Sequence, residues 1–187
     1  MRKMFLFMMV SLDGYFEGIG HDLSWHNADN QEFSDYANHQ TENVGTIIFG
    51  KRTYDMMADF WPKPIGLKAE PTTAKLMNET PKVVVTHTTF NPEWHNTTVV
   101  SQDVEQEIRK LKSLPGKDVA VYGSSNLCVS LLEMGLLDEL RIMVNPVVLG
   151  AGTPLFQGIK KRLNFKLLSS RQFESGNMLL TYKPEKL

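Results

Sequence analysis

Residues 45–57, with the sequence GTIIFGKRTYDMM, are the first segment whose residue types suggest ligand chemistry. An apolar run ends at a glycine, and two cations and a hydroxyl follow before a stretch that can be helical. This order predicts a buried strand that turns directly into a helix, whose first backbone N–H groups have no partner within the helix. Those N–H groups and the positive end of the helix dipole attract anions, so we expect a phosphorylated nucleotide as the ligand. The residues of this candidate phosphate site are Gly50, Lys51, Arg52 and Thr53.

A second junction of the same kind lies in residues 118–137. The strand predicted over 118–122 ends at Gly123, and small polar residues then open a helix predicted over 125–134. Small residues let a pyrophosphate approach the backbone closely, but an ordinary serine-capped junction has the same pattern. This segment alone leaves both interpretations open. Two such junctions in one chain favour a ligand, because ligands of open α/β sheets bind at the carboxyl ends of strands.

A third polar segment follows the apolar strand predicted over 82–86. Thr86 and His87 could contact the ribose or the 2′-phosphate of a nucleotide, although a plain polar strand exit explains the same residues equally well. The chain contains neither GxGxxG nor a Walker A motif, so the usual dinucleotide and P-loop fingerprints do not apply.

The loop over residues 11–26 contains several glycines and precedes the first predicted helix, so it could act as a lid over a site. Its Trp25 argues against a plain surface connection, because a lone exposed tryptophan is unusual. Asp29 lies at the start of the helix predicted over 29–41, where it would be either the N-cap or a carboxyl that faces the pocket. A pocket carboxyl could orient a polar heterocycle or help to deliver a proton. The candidate catalytic carboxylates are Asp29 and Asp13, with Glu17 and Asp35 as further alternatives.

Several other kinds of site are not indicated. The five histidines show no metal-ligand spacing, so no metal site is predicted. The single cysteine, Cys128, excludes an internal disulfide and a cysteine cluster, and its leucine neighbours predict a core position. No GxSxG elbow or Ser-His-Asp set is apparent. The net charge of −1 gives no reason to expect a nucleic-acid or membrane partner.

The N-terminal segment begins like a signal peptide, with Arg2 and Lys3 before the apolar run Met4–Val10. No small-residue cleavage pattern follows this run, so a core strand is expected instead. No apolar run approaches the ~20 residues of a membrane-spanning helix. We therefore expect one soluble, cytoplasmic domain over residues 1–187.

The elements that must position these residues alternate between strand and helix over the first two-thirds of the chain, which favours parallel strands joined by crossover helices. The last two strands, predicted over 163–173 and 177–183, meet at a Ser-Gly-Asn turn and are expected to be antiparallel. A strand is predicted over 138–148 with a bulge or edge at Pro146, and residues 62–71 are predicted to be a surface loop. The predicted fold class is α/β, with a mixed, mostly parallel sheet of about eight strands flanked by helices.

Six motifs along the chain carry a family resemblance. They are VSLDG (10–14), FGKRTY (49–54), VVVT (83–86), VYGSS (121–125), GLLDEL (135–140) and NPVVLGAGTPLF (145–156). Together they resemble the dihydrofolate-reductase-like fold and, within it, the reductase domain of riboflavin biosynthesis and its stand-alone relatives. The resemblance spans nearly the whole chain, and the last motif is the most specific to the family.

The resemblance implies NADPH as the cofactor. Gly50 to Thr53 would hold the phosphates of NADPH, and Thr86 and His87 would lie by its adenosine ribose. Lys51 and Arg52 favour NADPH over NADH, because a 2′-phosphate is stabilised by nearby cations. The residues that would wrap the pyrophosphate are Gly123, Ser124, Ser125, Asn126 and Leu127. Those that would approach the nicotinamide are Met9, Val10, Ile19 and Gly20.

The resemblance also implies hydride transfer to a pyrimidine- or pteridine-type heterocycle, as in 5-amino-6-(5-phosphoribosylamino)uracil reductase, and it is compatible with a homodimer. Dihydrofolate reduction and NADPH binding without catalysis are the alternatives. Trp25 and Asp29 look like the tryptophan and pocket carboxylate of dihydrofolate reductases, with a spacing one residue short. The Asp-Gly after the first strand and the Gly-Ser-Ser turn point to the riboflavin branch instead. No deaminase domain and no cluster that would anchor a ribose phosphate are identifiable in the sequence.

Overall fold

A computed structural model describes residues 1–28 and 30–185, with an eight-stranded sheet at the centre and a two-stranded sheet beside it. The strands are Met4–Val10 (β1), Tyr15–Glu17 (β2), Val44–Gly50 (β3), Lys82–Val85 (β4), Thr97–Val100 (β5), Asp118–Val121 (β6), Glu139–Val144 (β7), Thr153–Pro154 (β8), Phe165–Gln172 (β9) and Met178–Pro184 (β10). The helices are Gln31–Glu42 (α1), Lys51–Ala58 (α2), Pro64–Ala69 (α3), Pro71–Glu79 (α4), Val104–Ser113 (α5) and Ser125–Glu133 (α6), and Ile19–His21 forms a 3-10 turn.

The large sheet has the strand order β5-β4-β3-β6-β1-β7-β10-β9. Neighbouring strands from β5 through β7 are parallel, whereas β10 is antiparallel to both β7 and β9. The prediction of a mixed, mostly parallel eight-stranded sheet flanked by helices is therefore confirmed, and so is the antiparallel pairing of the last two strands. Because β6 lies between β3 and β1 in the sheet and is parallel to both, the carboxyl ends of these three strands lie side by side.

The central strand β1 is buried on both faces of the sheet, which explains its unbroken apolar sequence. On one face Leu6 belongs to a cluster with Ile108 of α5 and Leu131 of α6. On the other face Phe5 belongs to a cluster that includes Phe49 and residues of α2 and α4. The sheet is thus held between two helical layers. None of the helices that the structure describes is long and apolar enough to cross a membrane.

The start of α1 corrects the predicted helix boundary. The helix begins at Gln31, and its N-cap is Asn30, whose side-chain oxygen accepts a hydrogen bond from the backbone N–H of Phe33 at 2.9 Å. The prediction of Asp29 as the N-cap is wrong, because an asparagine one residue later satisfies the same free N–H group. Asp29 itself lies outside the described residues.

Two further local predictions differ from the structure. Residues 62–71 were predicted to be a loop, but they contain α3, because Pro64 occupies a first-turn position where a missing N–H costs nothing. The strand predicted over 138–148 ends at Val144, two residues before Pro146, which cannot donate to a neighbouring strand. The loop predicted over residues 11–26 also contains β2, which pairs with β8.

Candidate active site

The two glycine junctions form one surface at the carboxyl ends of β3 and β6. The backbone N–H of Gly50 donates to the carbonyl of Gly123 at 2.9 Å. β3 leads at once into α2, three residues separate β6 from α6, and neither N-cap residue, Gly50 or Ser124, forms a side-chain cap. The N–H groups in the first turns of both helices are therefore open to a ligand.

Glycine is required at both junctions by the closeness of the neighbouring chain. A Cβ on Gly50 would lie 2.8 Å from Oγ of Ser124, and a Cβ on Gly123 would lie 3.0 Å from Oγ1 of Thr53. Gly123 also has a φ of +108°, which favours glycine, and its peptide bond to Ser124 is cis. The junction surface is consequently almost bare backbone, so a ligand can approach it closely.

Both cations of the first junction already have carboxylate partners. Nζ of Lys51 donates to both oxygens of Asp55 at 2.6 and 2.7 Å and lies 4.5 Å from the ring centroid of Phe90. Nη2 of Arg52 donates to both oxygens of Glu17 at 2.7 Å. The Lys51 pair lies within α2 and both of its side chains are partly exposed, so it is weak.

Glu17 is the centre of a tighter network. Its side chain is only 5% exposed, and it accepts hydrogen bonds from Thr153 at 2.7 Å and from Nδ1 of His21 at 3.0 Å in addition to Arg52. Burial opposes ionisation of Glu17, but the hydrogen bonds from Thr153, His21 and Arg52 outweigh it and lower its pKa. The carboxylate therefore joins β2, β8 and the start of α2.

A cavity of about 900 Å³ adjoins the junction surface. Its walls come from β1, the loop after β2, α1, the segment from α2 to α4, and the end of β6. This volume is in the range of small-molecule sites. The large apolar side chains of the lining include Phe7, Met9, Phe33, Met57, Phe60 and Trp61.

Two pairs of polar side chains contact each other in the cavity lining away from Glu17. On one wall, Oγ of Ser34 in α1 donates to Oε1 of Glu70, at the junction of α3 and α4, at 2.9 Å. On the floor, the hydroxyl of Tyr122 lies 3.4 Å from Oγ1 of Thr41. Such isolated polar groups in an apolar site fix the orientation of a ligand.

Burial shifts the pKa values of two titratable side chains of the lining in the direction that favours their neutral forms. Burial lowers the pKa of His26 to about 4, despite the opposing effects of the Phe16 backbone and Asp22. Nε2 of His26 is buried and has no hydrogen-bond partner among the described residues. Burial also raises the pKa of Tyr122, because its effect is larger than the opposing effect of the hydrogen bonds with Thr41 and Gln40. At neutral pH His26 is therefore an imidazole and Tyr122 a phenol.

The sequence matches the family model of the RibD C-terminal domain over residues 2–179. The chain belongs to this family. It is also 33% identical over 182 residues to the uncharacterized protein YyaP of Bacillus subtilis, an alignment that covers 97% of this chain and 94% of YyaP.

Solved structures share the fold of this family member. A putative riboflavin biosynthesis protein from Shewanella sp. PV-4 has a TM-score of 0.78 at 22% identity, with 98% of this chain and 99% of that chain covered. A pyrimidine reductase-like protein from Corynebacterium diphtheriae has a TM-score of 0.71 at 14% identity, with 100% and 93% covered. Dihydrofolate reductase from Enterococcus faecalis, complexed with NADP(H), has a TM-score of 0.66 at 14% identity, with 98% and 97% covered. The fold is thus dihydrofolate-reductase-like.

The structure brings only some of the predicted cofactor residues to the cavity. Met9, Arg52, Thr53 and Gly123 line it, while Gly50 and Ser124 lie directly beside it on the junction surface. The other predicted cofactor residues lie outside the lining. Four of them are buried, namely Val10 and Leu127 in the core, Ser125 in α6 and Thr86 after β4. The other five are at least partly exposed: Lys51, Ile19, Gly20, His87 and Asn126. Because Gly50 pairs with Val85, Thr86 and His87 belong to the same edge of the sheet as the junction surface.

The predicted catalytic carboxylate Asp13 has a structural position instead. It accepts hydrogen bonds from Ser11 at 2.6 Å and from the backbone N–H groups of Leu149 and Gly150 at 3.1 and 2.8 Å. The Ser11 hydroxyl and these N–H groups lower the pKa of Asp13 to about 2. Asp13 is absent from the cavity lining, so the geometry does not support a role in catalysis. The same role for Asp29 stays a prediction, because Asp29 lies outside the described residues.

Sequence reasoning missed most of the polar residues of the cavity. Glu70 lies in the segment that was predicted to be a loop, and Ser34 lies inside α1, where no motif marks it. Tyr122 carried one usable signal, since it directly precedes the predicted Gly123 turn. Trp25, which argued against a plain surface connection in the loop, is not part of the lining, and its Nε1 donates to the carbonyl of Asp22 at 3.0 Å.

Proposed function

We propose that the protein is an NADPH-dependent reductase of a pyrimidine- or pteridine-type heterocycle. The observation that carries the proposal is the contact between the bare junction surface and the apolar cavity, which share Thr53 and Gly123. A dinucleotide cofactor needs a phosphate site and a neighbouring space in which its reactive ring meets the substrate. The junction surface and the cavity suit these two needs, and they lie side by side at the carboxyl ends of parallel strands.

The junction surface fits the phosphates of NADPH. A Cβ at Gly50 or Gly123 would crowd Ser124 or Thr53, so both positions add no side chain of their own to this surface, and neither N-cap residue, Gly50 or Ser124, forms a side-chain cap. Gly50, Thr53, Gly123 and Ser124 would hold the pyrophosphate through backbone N–H and hydroxyl groups.

The cations beside this surface support NADPH rather than NADH. Lys51 and Arg52 follow Gly50 directly, and a 2′-phosphate accepts strong charge-assisted hydrogen bonds from such side chains. Lys51 would exchange its weak, exposed pair with Asp55 for the phosphate at little cost. Arg52 would have to leave Glu17, so Lys51 is the more available of the two.

The cavity would hold the nicotinamide ring and the substrate during hydride transfer. When bound, NADPH supplies a hydride from its nicotinamide ring, which is the chemistry of the cofactor. The aromatic and methionine side chains of the walls exclude water and give a flat heterocycle apolar surface on which to lie. The neutral Tyr122 and the Glu70–Ser34 pair would fix its orientation.

The names of the structural relatives support the substrate class. One is a riboflavin biosynthesis protein and another is pyrimidine reductase-like, and both cover nearly all of this chain. A riboflavin-pathway substrate, such as 5-amino-6-(5-phosphoribosylamino)uracil, is one member of this class. A cytoplasmic location and a homodimer remain predictions.

The test is to titrate the purified chain with NADPH and NADH, following tryptophan fluorescence and melting temperature, and then to measure NADPH oxidation with a panel of pterins and pyrimidines. We expect saturable NADPH binding and turnover with at least one member of the panel. Gly50→Ala should weaken NADPH at least tenfold, whereas Gly135→Ala, where a Cβ meets nothing within 4 Å, should not.

Each other outcome points to a defined alternative. No effect of NADPH on fluorescence or melting would overturn the proposal. NADPH binding without turnover across the panel would indicate a nucleotide-binding protein on the same scaffold. Methotrexate-sensitive oxidation of NADPH by dihydrofolate alone would identify a dihydrofolate reductase.

A further inference from the structure

The charged side chains of the cavity lining leave it without a spare positive charge. Among the described residues, the charged groups of the lining are Glu17, Arg52 and Glu70. Arg52 is bonded to both oxygens of Glu17, and Glu70 forms no ion pair with a described residue. If Arg52 left Glu17 for the cofactor, Glu17 would become a second carboxylate without a cation. In either state the cavity disfavours an additional anion.

Glu70 is well placed to bind a ligand. It is fixed between α3 and α4, where its N–H donates to the carbonyl of Gly66 at 3.1 Å and its carbonyl accepts from Ala74 at 2.8 Å. Oε1 accepts the hydroxyl of the buried Ser34 across the cavity wall. Oε2 has no donor among the residues that the structure describes, so one carboxylate oxygen is left for a ligand. A carboxylate only accepts hydrogen bonds, so its ligand must donate.

The walls near this carboxylate suit a flat ring. Phe33 follows Asn30 in the first turn of α1, and Phe60 and Trp61 lie between α2 and α3. All three line the same cavity as Glu70. Aromatic walls with one acceptor-only polar group favour a planar heterocycle that bears an N–H or amino donor.

We propose that the substrate of this chain is an unphosphorylated heterocycle whose N–H groups bind Glu70. The inference rests on the proposed reductase function and specifies its substrate class. The phosphate group of a phosphorylated substrate carries a charge of about −2, and it would lie next to an unpaired carboxylate. The described lining residues include no lysine and no free arginine that would balance this charge. Within the proposed substrate class, a ribosyl-phosphate pyrimidine is therefore bound more weakly than the corresponding free base or nucleoside.

The experiment compares matched ligands on the full chain. Pterins and aminopyrimidines are each titrated as the free base, as the nucleoside and as the 5′-phosphate, by calorimetry without cofactor and by NADPH oxidation with it. We expect every 5′-phosphate to bind at least tenfold more weakly than its unphosphorylated partner. Equal or tighter binding of the phosphates would overturn the inference, and this comparison needs no variant.

Glu70→Gln tests the residue itself, with Glu79→Gln as the control at the exposed end of the same helix segment. Glu70→Gln should weaken the best heterocycle at least tenfold and leave the NADPH affinity and melting temperature unchanged, while Glu79→Gln changes none of them. Unchanged heterocycle binding by a folded Glu70→Gln variant would contradict the role of Glu70. Failure of NADPH binding in the wild-type chain would instead contradict the reductase proposal, since the calorimetric titrations do not depend on the cofactor.

Discussion

Arg52 donates to both carboxylate oxygens of Glu17 from a single nitrogen, Nη2, at 2.7 Å. The two residues are 35 positions apart, and the carboxylate is nearly buried while the guanidinium is half-exposed. The pair therefore holds the end of β2 against the start of α2. It also occupies one of the two cations that the sequence suggests for a phosphate, before any ligand arrives.

Glu17→Gln should destabilise the fold. The substitution keeps the shape of the side chain but removes the charge that Arg52, Thr153 and His21 stabilise, and hydrogen bonds to charged groups contribute about 1.5–3 kcal/mol. We expect a loss of this order at neutral pH, measured by urea denaturation. Glu42→Gln, an exposed position at the end of α1, is the control and should lie within about 0.5 kcal/mol of wild type.

The same pair predicts a pH dependence. The pKa of Glu17 is lowered in the folded state from its ordinary value of 4.5, so the folded state binds this proton less readily than the unfolded state. The stabilisation is complete above pH 4.5 and is lost as the pH falls through the folded pKa. The difference in unfolding free energy between wild type and Glu17→Gln should therefore shrink below pH 4.5, and a constant difference would contradict this account.

Removing the cations of the junction should discriminate between the two nicotinamide cofactors. In the double variant Lys51→Ala, Arg52→Ala we expect NADPH affinity to fall by about 10- to 100-fold and NADH affinity to fall far less, because only NADPH carries the 2′-phosphate. Fluorescence titrations of both cofactors measure this. The charge-matched control is Lys160→Ala, Lys161→Ala, at two exposed positions between β8 and β9. Equal weakening of both cofactors would assign the cations to the pyrophosphate or to the fold.

Gly152→Ala should separate β8 from β2. A Cβ at this position would lie 2.2 Å from the carbonyl oxygen of Glu17, and the φ of +147° is itself unfavourable for alanine. Overpacking of this kind costs about 1–3 kcal/mol. Gly158→Ala is the matched control, since its φ is also positive but a Cβ there meets nothing within 4 Å. Thermal unfolding should show a clearly larger loss for Gly152→Ala, and similar losses would mean that backbone conformation alone matters.

His26 should make the fold sensitive to mild acid. Burial lowers its pKa from 6.5 to about 4, so between these values the unfolded state binds the proton and the folded state does not. The unfolding free energy should therefore fall as the pH drops from 6.5 to about 4, by at most about 1.4 kcal/mol per pH unit for one proton. His26→Gln should flatten this part of the pH profile. His39→Gln, at an exposed position on α1, should leave it as in wild type.

Much of the fold was predictable because its determinants are local. The apolar runs of β1, β3 and β4 mark buried strands, and the glycine at the end of β3 marks a sharp exit. Residues 62–71 were misassigned because proline and glycine usually interrupt helices. Here Pro64 begins α3, and Gly66 is required because a Cβ would lie 2.4 Å from the carbonyl oxygen of Phe60. That contact depends on packing, which no local pattern reports.

The sequence by itself determined that Gly50 and Gly123 follow two strands of the same type, and the carboxyl ends of parallel strands share one edge of a sheet. It also determined which cations stand beside them, because these are contiguous in the chain. Only the tertiary structure decided that Arg52 is held by Glu17, that Asp13 lies away from the cavity, and that Ser34 and Glu70 meet across its wall. These pairs lie far apart in sequence, and their partners are selected by the packing of helices on the sheet, so spacing and residue type alone do not specify them.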